Sequence, residues 1–283
     1  MRTIKNTVAV ITGAGSGIGR ALAQNLASQG ARLALADVND KGLEETRQLL
    51  GPAEAKTYHV DVSKAPAVEA FAHDVERDFG GAALLVNNAG VALQGTFMEI
   101  SLEDMEWLMG INFWGVVYGC RFFLPLLQRA PEAHVVNVSS LFGIIGPPGQ
   151  AAYCSAKFAV RGFTEVLRQE LRLTKVKVSC VHPGGIKTRI AENARTGAGA
   201  DAATAAQLRS RFMDIAKTTP EKAAKVIVNG ILQARSRILI GADAKQLDFL
   251  QRMFPSKASG IFTKGIEKRF GQPAPSMAAA ARK

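Results

Sequence analysis

A cluster of alternating glycines near the amino terminus constrains the fold of this chain more than any other feature of its sequence. The apolar run Val8–Thr12 leads into the segment Gly13–Gly19, and a helical pattern follows over Arg20–Gln29. Glycine lets a ligand approach the backbone closely, and free N–H groups at the start of a helix attract an anion. The arrangement therefore predicts a strand–turn–helix unit that binds an anion. The residues expected to bind it are Gly13, Gly15, Ser16, Gly17, Ile18 and Gly19.

Short apolar runs alternate with helical periods along most of the chain. Runs typical of strands lie at Val8–Thr12, Arg32–Asp37, Thr57–Asp61, Leu84–Asn87, His134–Ser139, Val176–His182 and Arg237–Gly241. Helical periods lie at Ile18–Gln29, Pro66–Phe79, Leu102–Gln128 and Ala151–Leu173, and from Thr219 to about Ala234. Buried strands joined by helices indicate an α/β fold, a doubly wound parallel sheet of the Rossmann type with helices on both faces. Ligands of such a sheet bind beyond the carboxyl ends of its strands.

The chain is expected to form one domain followed by a basic extension. Residues 1–254 form the domain, with a polar, Ala-rich flap at about 189–217 near the substrate, and residues 255–283 form the extension. Its last residues are expected to be disordered. Near the end of the domain, Asp243 is expected to cap a helix. That helix carries three apolar residues on one face, Leu247, Leu250 and Phe254.

The net charge of +11 is concentrated in the later part of the chain. Residues 1–167 hold 13 Lys and Arg against 16 Asp and Glu, a net −3, whereas residues 168–283 hold 22 against 8, a net +14. A basic surface attracts nucleic acid or an anionic membrane, but no recognition helix, RNA-binding motif or interleaved aromatic platform accompanies it, which argues against nucleic acid. In the extension, Phe262, Ile266 and Phe270 recur every fourth residue. This stripe favours packing on the chain's own domain or on a second subunit over contact with a membrane surface.

Other protein classes are excluded by what the sequence lacks. Cys120, Cys154 and Cys180 are too scattered for a disulfide framework, and the 4 histidines show no metal-ligand spacing, so no metal site is expected. The chain opens without a signal-peptide pattern, and no stretch approaches the roughly 18 apolar residues that span a bilayer. We therefore expect a cytoplasmic protein.

An acidic residue at the end of the second predicted strand indicates which dinucleotide binds. Asp37 lies 18 residues after Gly19. A carboxylate there accepts hydrogen bonds from the adenosine ribose and repels a 2′-phosphate. Val38 and Asn39 follow it rather than a basic residue, and Ser16 occupies the turn. These residues favour NAD over NADP.

A tyrosine and a lysine four residues apart supply an acid/base pair. A tyrosine with its ordinary pKa of ~10 is ionised in only about one part in a thousand at pH 7. Lys157 lies four residues after Tyr153 on one helix face and places a positive charge beside the phenol, which lowers its pKa together with an oxidised nicotinamide. We therefore expect Tyr153 to take the proton that a secondary alcohol loses with its hydride. Lys157 is expected to be its electrostatic partner and a ligand of the ribose hydroxyls.

Several motifs occur in one order along the chain. They are Thr12–Gly19, Asn87-Asn-Ala-Gly90, Ser140, Tyr153-Cys-Ser-Ala-Lys157 and Pro183-Gly184. Together they resemble the compact, NAD-type branch of the short-chain dehydrogenase/reductase family, over about Asn6 to Gly241. The resemblance implies that Ser140, with Ser139 as the neighbouring alternative, hydrogen-bonds the substrate oxygen, and that Asn112 holds a water on the path from the lysine to solvent. The implied catalytic set is Asn112, Ser140, Tyr153 and Lys157.

The resemblance also implies further ligand contacts. Asp61 and Val62 resemble a pair that meets the adenine, although Asp61 equally fits a helix cap for the segment starting near Ser63, and Asn87 is expected to be structural. The residues implied in the ribose cleft and beside the nicotinamide are Asn88, Ala89, Gly90, Pro183, Gly184, Ile186 and Thr188. The candidates for the substrate pocket are Leu141, Phe142, Gln150 and Gly185, and their low polarity favours an apolar substrate.

Two functions are compatible with these residues. The first is an NAD(H)-dependent oxidoreductase that interconverts a secondary alcohol and a ketone, small molecules that would be its partners. The alternative is a catalytically silent dinucleotide-binding regulator or scaffold that uses the basic carboxyl-terminal part for a partner. The complete Asn–Ser–Tyr–Lys set favours the enzyme. The resemblance implies a homotetramer. The 42 residues after Gly241 would leave a homodimer if they block one interface.

Overall fold

Seven parallel strands form the centre of the molecule. The computed structural model describes residues 1–190, 192–197, 199 and 216–270. The strands of the chain are β1 (Val8–Thr12), β2 (Arg32–Asp37), β3 (Ala55–His59), β4 (Leu84–Asn87), β5 (Leu93–Gln94), β6 (Ala133–Val138), β7 (Val176–Pro183), β8 (Arg195–Thr196) and β9 (Arg237–Ile240). The main sheet has the order β3-β2-β1-β4-β6-β7-β9, and β5 pairs with β8 separately. The strand order reverses between β1 and β4, and the carboxyl ends of these two strands are where ligands of such a sheet bind, in the crevice between them.

Helices cover both faces of this sheet. They are α1 (Gly17–Ala27), α2 (Asp40–Gln48), α3 (Ala65–Phe79), α4 (Leu102–Met109), α5 (Gly115–Arg129), α6 (Ala151–Glu170), α7 (Pro220–Leu232), α8 (Ala242–Met253) and α9 (Ala258–Phe270). Successive residues of a strand point to opposite faces. Ile11 of β1 accordingly packs in one core cluster with α1 and α7, and Val10 packs in another with α3, α5 and α6. The predicted doubly wound parallel sheet is confirmed.

Two strands begin earlier than their sequence pattern predicted. β3 spans Ala55–His59 rather than Thr57–Asp61. It is an edge strand with exposed polar residues, so a search for apolar runs does not locate its start. Asp61 bends the chain after it by accepting hydrogen bonds from the backbone and hydroxyl of Ser63. β6 begins and ends one residue before the predicted His134–Ser139. Each difference lies at a strand end.

A π-helical turn interrupts the long helix predicted over Leu102–Gln128. The turn covers Gly110–Trp114, between α4 and α5, and its Asn112 is fully buried. By length and composition, Leu102–Arg129 is the one helix of the described residues that could cross a membrane, contrary to the expectation that no stretch qualifies. Phe123 of this helix is fully buried in the core cluster against the sheet. Such packing is that of a core helix.

The carboxyl-terminal helices differ from their predicted pattern in two ways. α8 begins at Ala242, so Asp243 is not its cap as predicted; its carboxylate accepts a hydrogen bond from the Gly185 N–H instead. α9 begins at Ala258, before the predicted apolar stripe, and Phe262 of that stripe packs on the domain. Most of the predicted flap and the terminal residues expected to be disordered lie outside the described residues.

Candidate active site

The glycine-rich turn is built from backbone contacts that only glycine permits. Gly13 and Gly17 have positive φ angles of +67° and +53°. A Cβ on Gly19 would lie 2.1 Å from the Gly13 carbonyl oxygen, and a Cβ on Gly13 would lie 2.8 Å from Ala89 Cα. Both distances are far below van der Waals contact, so the turn, α1 and the loop after β4 interlock only through glycines. The segment is a tight backbone cradle at the carboxyl end of β1.

The amino terminus of α1 opens directly from this cradle. Ser16 precedes α1 in an extended conformation, and no side chain of the described residues caps the helix. The N–H groups and dipole of such a terminus attract an anion. Thr188 lies over the same turn, with its γ-methyl carbon 3.1 Å from where a Gly17 Cβ would be, whereas Ile18 packs against the core. The turn and the loop that carries Thr188 therefore meet at one site for an anion.

Asp37 closes the other end of the glycine-rich turn. Its Oδ2 accepts a hydrogen bond of 2.8 Å from the Gly15 N–H, and its Oδ1 accepts one of 3.1 Å from the Asn39 N–H. These two bonds hold the carboxylate at the carboxyl end of β2, beside the cradle. An acidic group in this place is positioned to accept further hydrogen bonds from a ribose.

Arg20 is a functional-site residue that the sequence pattern did not reveal. Its guanidinium donates hydrogen bonds to the carbonyl oxygens of Gly15 and Gly42 and forms an ion pair of 2.8 Å with Glu45. Its Nε also donates to Thr46 Oγ1 at 3.0 Å. The arginine therefore fastens α2 to the back of the glycine-rich turn. These contacts join residues up to 26 positions apart, so no local pattern could predict them.

Asn88 and Thr12 tie the loop after β4 to the turn after β1. The Asn88 side-chain amide donates to the carbonyl oxygens of Thr12 and Gly13 at 2.9 and 3.1 Å. Thr12 Oγ1 in turn accepts the N–H groups of Asn88 and Ala89, each at 3.1 Å. Asn87 lies buried and donates to Asn137 Oδ1 at 2.8 Å, a structural contact between β4 and β6. The Asn88–Gly90 segment is thus fixed at the edge of the crevice.

Asp61 and Val62 lie on the turn after β3. The Asp61 carboxylate accepts hydrogen bonds from Ser63, 2.9 Å from its N–H and 2.7 Å from its hydroxyl. Val62 is buried against Gly115, where an added Cβ would lie 2.9 Å from Val62 Cγ2. Asp61 is not the helix cap that the sequence allowed, because α3 begins at Ala65 with Lys64 as its N-cap and the carboxylate stabilises the turn before it. The adenine contact stays a prediction.

Ser140, Tyr153 and Lys157 come together at the carboxyl end of β6. Ser140 follows the strand, and its side chain lies near the Tyr153 hydroxyl. Burial raises the pKa of Tyr153 to about 12, whereas the sequence predicts a lowered pKa, and the nearby Ser140 side chain opposes that rise. The Lys157 ammonium nitrogen lies 5.7 Å from the centre of the Tyr153 ring, and burial lowers the pKa of Lys157 to about 8. The hydroxyl pair and the nearby cation form the arrangement that general acid/base chemistry on an alcohol needs.

Asn112 lies close to Lys157 through the loop after β4. Its side chain exchanges two hydrogen bonds with the Val91 backbone, accepting at 2.8 Å and donating at 2.9 Å. A Cβ on Gly90 would lie 3.1 Å from Asn112 Oδ1 and 3.5 Å from Lys157 Nζ. The backbone of Gly90 therefore lies between the Asn112 amide and the Lys157 ammonium. The π-helical turn is what directs Asn112 to this place.

The two serines after β6 have different contacts. Ser139 Oγ is buried and donates to the Lys157 carbonyl oxygen at 2.8 Å, which fixes α6 against the strand. Ser140 Oγ accepts the Phe142 N–H at 3.1 Å and keeps its contact with Tyr153. His182 Nδ1 lies 3.0 Å from the Ser140 carbonyl oxygen, and burial lowers the pKa of His182 to about 4. The serine that meets the tyrosine is Ser140.

The loop after β7 is held by Asp243. Pro183 ends β7, and the Gly184 N–H donates to the Ile240 carbonyl oxygen at 2.9 Å. The Gly185 N–H donates to Asp243 Oδ2 at 2.7 Å, and a Cβ on Gly184 would lie 2.2 Å from both carboxylate oxygens. The buried Ile186 pairs with Thr218 in an isolated bridge. Asp243, from a helix 58 residues later in the chain, is a second site residue that the sequence pattern did not identify.

Of the predicted pocket residues, Phe142 contacts the tyrosine directly. Leu141 is buried, and the Phe142 ring packs edge-to-face on Tyr153 with ring centres 6.3 Å apart. Gln150 directly precedes α6, the helix of the tyrosine. Gly185 lies on the loop that Asp243 holds. The side of the site next to Tyr153 is therefore mainly apolar.

The described residues contain no cluster of side chains suited to a metal ion. Within the described residues, no group of three or more His, Cys, Asp or Glu side chains is placed to hold a metal ion. The cysteines Cys120, Cys154 and Cys180 are free and buried, and burial raises the pKa of each to about 12. The ionisable groups beside Ser140 are those of Tyr153 and Lys157.

Comparison with known proteins gives consistent matches. A family model described as short chain dehydrogenase matches residues 7–199. The putative oxidoreductase SadH of Mycobacterium tuberculosis is 46% identical over 275 residues, covering 95% of this chain and 99% of that protein. Estradiol 17-beta-dehydrogenase 11 of Macaca fascicularis is 30% identical, covering 95% of this chain and 86% of that protein. The crystal structure of a short-chain dehydrogenase/reductase from Burkholderia phymatum in complex with NAD is 33% identical with a TM-score of 0.82, covering 98% of this chain and 99% of that one.

We expect the substitution Gly19→Ala to weaken NADH binding by about tenfold to a hundredfold, because the added methyl group overlaps the Gly13 carbonyl oxygen and forces the cradle open. A fluorescence titration with NADH measures the dissociation constant. Gly162→Ala on α6 is the matched control, since a Cβ there meets no atom within 4 Å. Unchanged affinity in the Gly19 variant would contradict the assignment of the cradle as the dinucleotide site.

We expect Asp243→Ala to lower the free energy of unfolding by about 1–3 kcal/mol, because the Gly185 N–H loses its acceptor. Urea denaturation followed by circular dichroism measures the loss. Asp243→Asn keeps an acceptor oxygen at the same position and should retain most of the stability. Equal losses in the two variants would show that the hydrogen bond is not what Asp243 contributes.

Proposed function

The chain belongs to the short-chain dehydrogenase/reductase family of oxidoreductases, and from this membership we propose that it interconverts a secondary alcohol and a ketone with NAD(H). The observation that carries the proposal is that the Tyr153 hydroxyl lies close enough to Ser140 for that hydroxyl to lower the pKa of the phenol, with the Lys157 ammonium near the tyrosine ring. Only an exchange of a proton at a substrate oxygen makes use of all three groups together.

The substrate oxygen binds between the two hydroxyl groups. In alcohol oxidation, Tyr153 accepts the hydroxyl proton while the C–H bond of the same carbon breaks, and Ser140 donates a hydrogen bond to the oxygen as it becomes a carbonyl. When bound, the nicotinamide supplies the acceptor or donor of the hydride. In ketone reduction, Tyr153 returns its proton to the carbonyl oxygen. Substrate and product then differ by one hydride and one proton.

The protonation states of the site suit this exchange. Burial raises the pKa of Tyr153 to about 12, so the tyrosine is protonated at neutral pH and ready to act as the acid in reduction. Oxidation needs the phenolate, and the Lys157 cation favours it. Burial lowers the pKa of Lys157 to about 8, which still leaves the ammonium mostly charged at neutral pH. A rise of oxidation rate with pH is the sign expected of a base with a raised pKa.

The described residues fit a dinucleotide. The cradle and the start of α1 suit the pyrophosphate, Asp37 suits the adenosine ribose, and Lys157 suits the nicotinamide ribose. NAD rather than NADP is favoured because the Asp37 carboxylate repels a 2′-phosphate. Arg20, the nearest cation to the turn, is already engaged with Glu45 and two carbonyl oxygens. The Burkholderia phymatum structure, solved with NAD, supports the same choice.

Further features support an apolar substrate and a self-associating protein. Phe142 packs on Tyr153 with Leu141 buried beside it, and one relative is named estradiol 17-beta-dehydrogenase 11. Trp114, Phe158 and Val166 expose large apolar side chains around α5 and α6, which supports a homodimer or homotetramer. Three free buried cysteines are compatible with a cytoplasmic location.

The alternative of a silent dinucleotide-binding regulator predicts NADH binding without turnover of any ketone.

We expect Tyr153→Phe to reduce turnover by about 10²–10⁴-fold, because the proton donor is lost while the ring and its packing stay. NADH oxidation with a panel of ketones, followed by absorbance, measures the rate. NADH affinity of the same variant is the control and should change little. Near wild-type turnover in this variant would overturn the proposed mechanism.

We expect Asp37→Asn to reduce the preference for NADH over NADPH by about tenfold, because the negative charge is lost while an acceptor for the Gly15 N–H remains. Dissociation constants of both coenzymes, measured by fluorescence titration, give the ratio. Wild-type protein that binds NADPH more tightly than NADH would contradict the role given to Asp37.

A further inference from the structure

The last described helix packs on the loop that carries the substrate pocket. Ala258, the first residue of α9, is fully buried in a cluster with Leu141, Ile144 and Ile145. Ser259 Oγ accepts a hydrogen bond of 3.2 Å from the Gly146 N–H. These contacts join α9 to the segment between Ser140 and Tyr153. The start of the predicted extension is therefore part of the wall around the active site.

Two aromatic contacts connect α9 to the catalytic tyrosine. The Phe262 ring centre lies 6.4 Å from that of Phe142, with the ring planes at 67°. Phe142 in turn lies 6.3 Å from Tyr153, with the planes at 90°. Both pairs have the edge-to-face geometry that aromatic rings prefer. The position of Phe142 beside the reacting group is thus set from behind by Phe262.

α8 lies between α9 and the main sheet and contacts both. Asp248 on α8 is buried and pairs with Arg237 of β9 and with Arg252. Leu247 and Leu250 of the same helix pack into the cluster that includes Phe142 and Phe262. α9 therefore rests on the main sheet through α8.

We propose that Phe262 is a positioning residue for substrate specificity, which holds Phe142 so that the pocket selects ketones and alcohols with a bulky apolar arm next to the reacting carbon. The proposal rests on the proposed oxidoreductase function and adds the structural basis of its substrate class. Hydrocarbon side chains pack around Phe142 in this cluster, so a polar arm that meets them would lose its water without gaining a hydrogen bond. An apolar arm gains by the same burial.

The test compares two methyl ketones that differ only in the apolar arm, acetone and benzylacetone. Wild-type enzyme should prefer benzylacetone through a lower KM. Phe262→Ala should raise the KM for benzylacetone about threefold to tenfold, the range expected for loss of an aromatic pair. Its kcat and its KM for acetone should stay within about twofold, because Phe262 does not touch the reacting atoms.

Two further variants separate a positioning role from a general loss of structure. Phe262→Tyr keeps the ring and should restore the KM for benzylacetone. Ile261→Ala, a neighbour on α9 whose side chain is about half exposed (47%), should behave as wild type. If Phe262→Ala changes both ketones equally, or if Phe262→Tyr does not restore KM, the positioning role is wrong.

Failure of the specificity proposal can be distinguished from failure of the proposed function. Calorimetric titration of NAD⁺-loaded protein with each ketone measures binding without turnover, because NAD⁺ has no hydride to donate. Preferred binding of benzylacetone that Phe262→Ala reduces would support the wall even if no ketone were reduced, and only the proposed function would then fall. Absence of any preference in the wild-type protein would overturn the specificity proposal itself.

Discussion

The burial of the Lys157 ammonium is the constraint around which the active site is arranged. The residue is almost completely buried, and its Nζ donates to the Val138 carbonyl oxygen at 3.0 Å. Removing a cation from water is costly unless dipoles replace the water. Its neighbours are consequently restricted: Gly90 leaves space beside Nζ, and a Cβ on Gly143 would lie 2.7 Å from the Lys157 carbonyl oxygen. The positions of Tyr153 and Asn112 follow from where this one cation can be held.

The same principle of close backbone approach governs the dinucleotide side of the site. Gly13 and Gly19 allow the turn and the loop after β4 to touch, and Asn88 fastens the contact with two hydrogen bonds. Arg20 and Asp37 then hold the turn from outside. The glycine-rich turn, whose backbone is closely packed, thus lies on one side of the site, and the buried Lys157 ammonium lies on the other.

The sequence predicted those parts of the molecule whose signal is local. β1, β2 and β4 have the predicted bounds because they are continuous apolar runs, and Ser140 and Tyr153 were identified by motif spacing. α2 was not predicted, because only Gly42, Leu43 and Thr46 of its residues are buried. Asp243 was interpreted as a helix cap because its partner, Gly185, lies 58 residues away. Contacts between distant segments, which complete the site, leave no periodic trace in the chain.

The π-helical turn at Gly110–Trp114 has a consequence for how this protein can change during evolution. Such a turn contains one residue more than the α-helix it interrupts. Losing that residue would rotate all of α5 by about 100° relative to α4. Phe123 would leave the core, and Asn112 would leave Val91. A single substitution along this helix affects one position, whereas a change in its length moves every residue that follows. Natural variants should therefore carry few insertions or deletions within this helix.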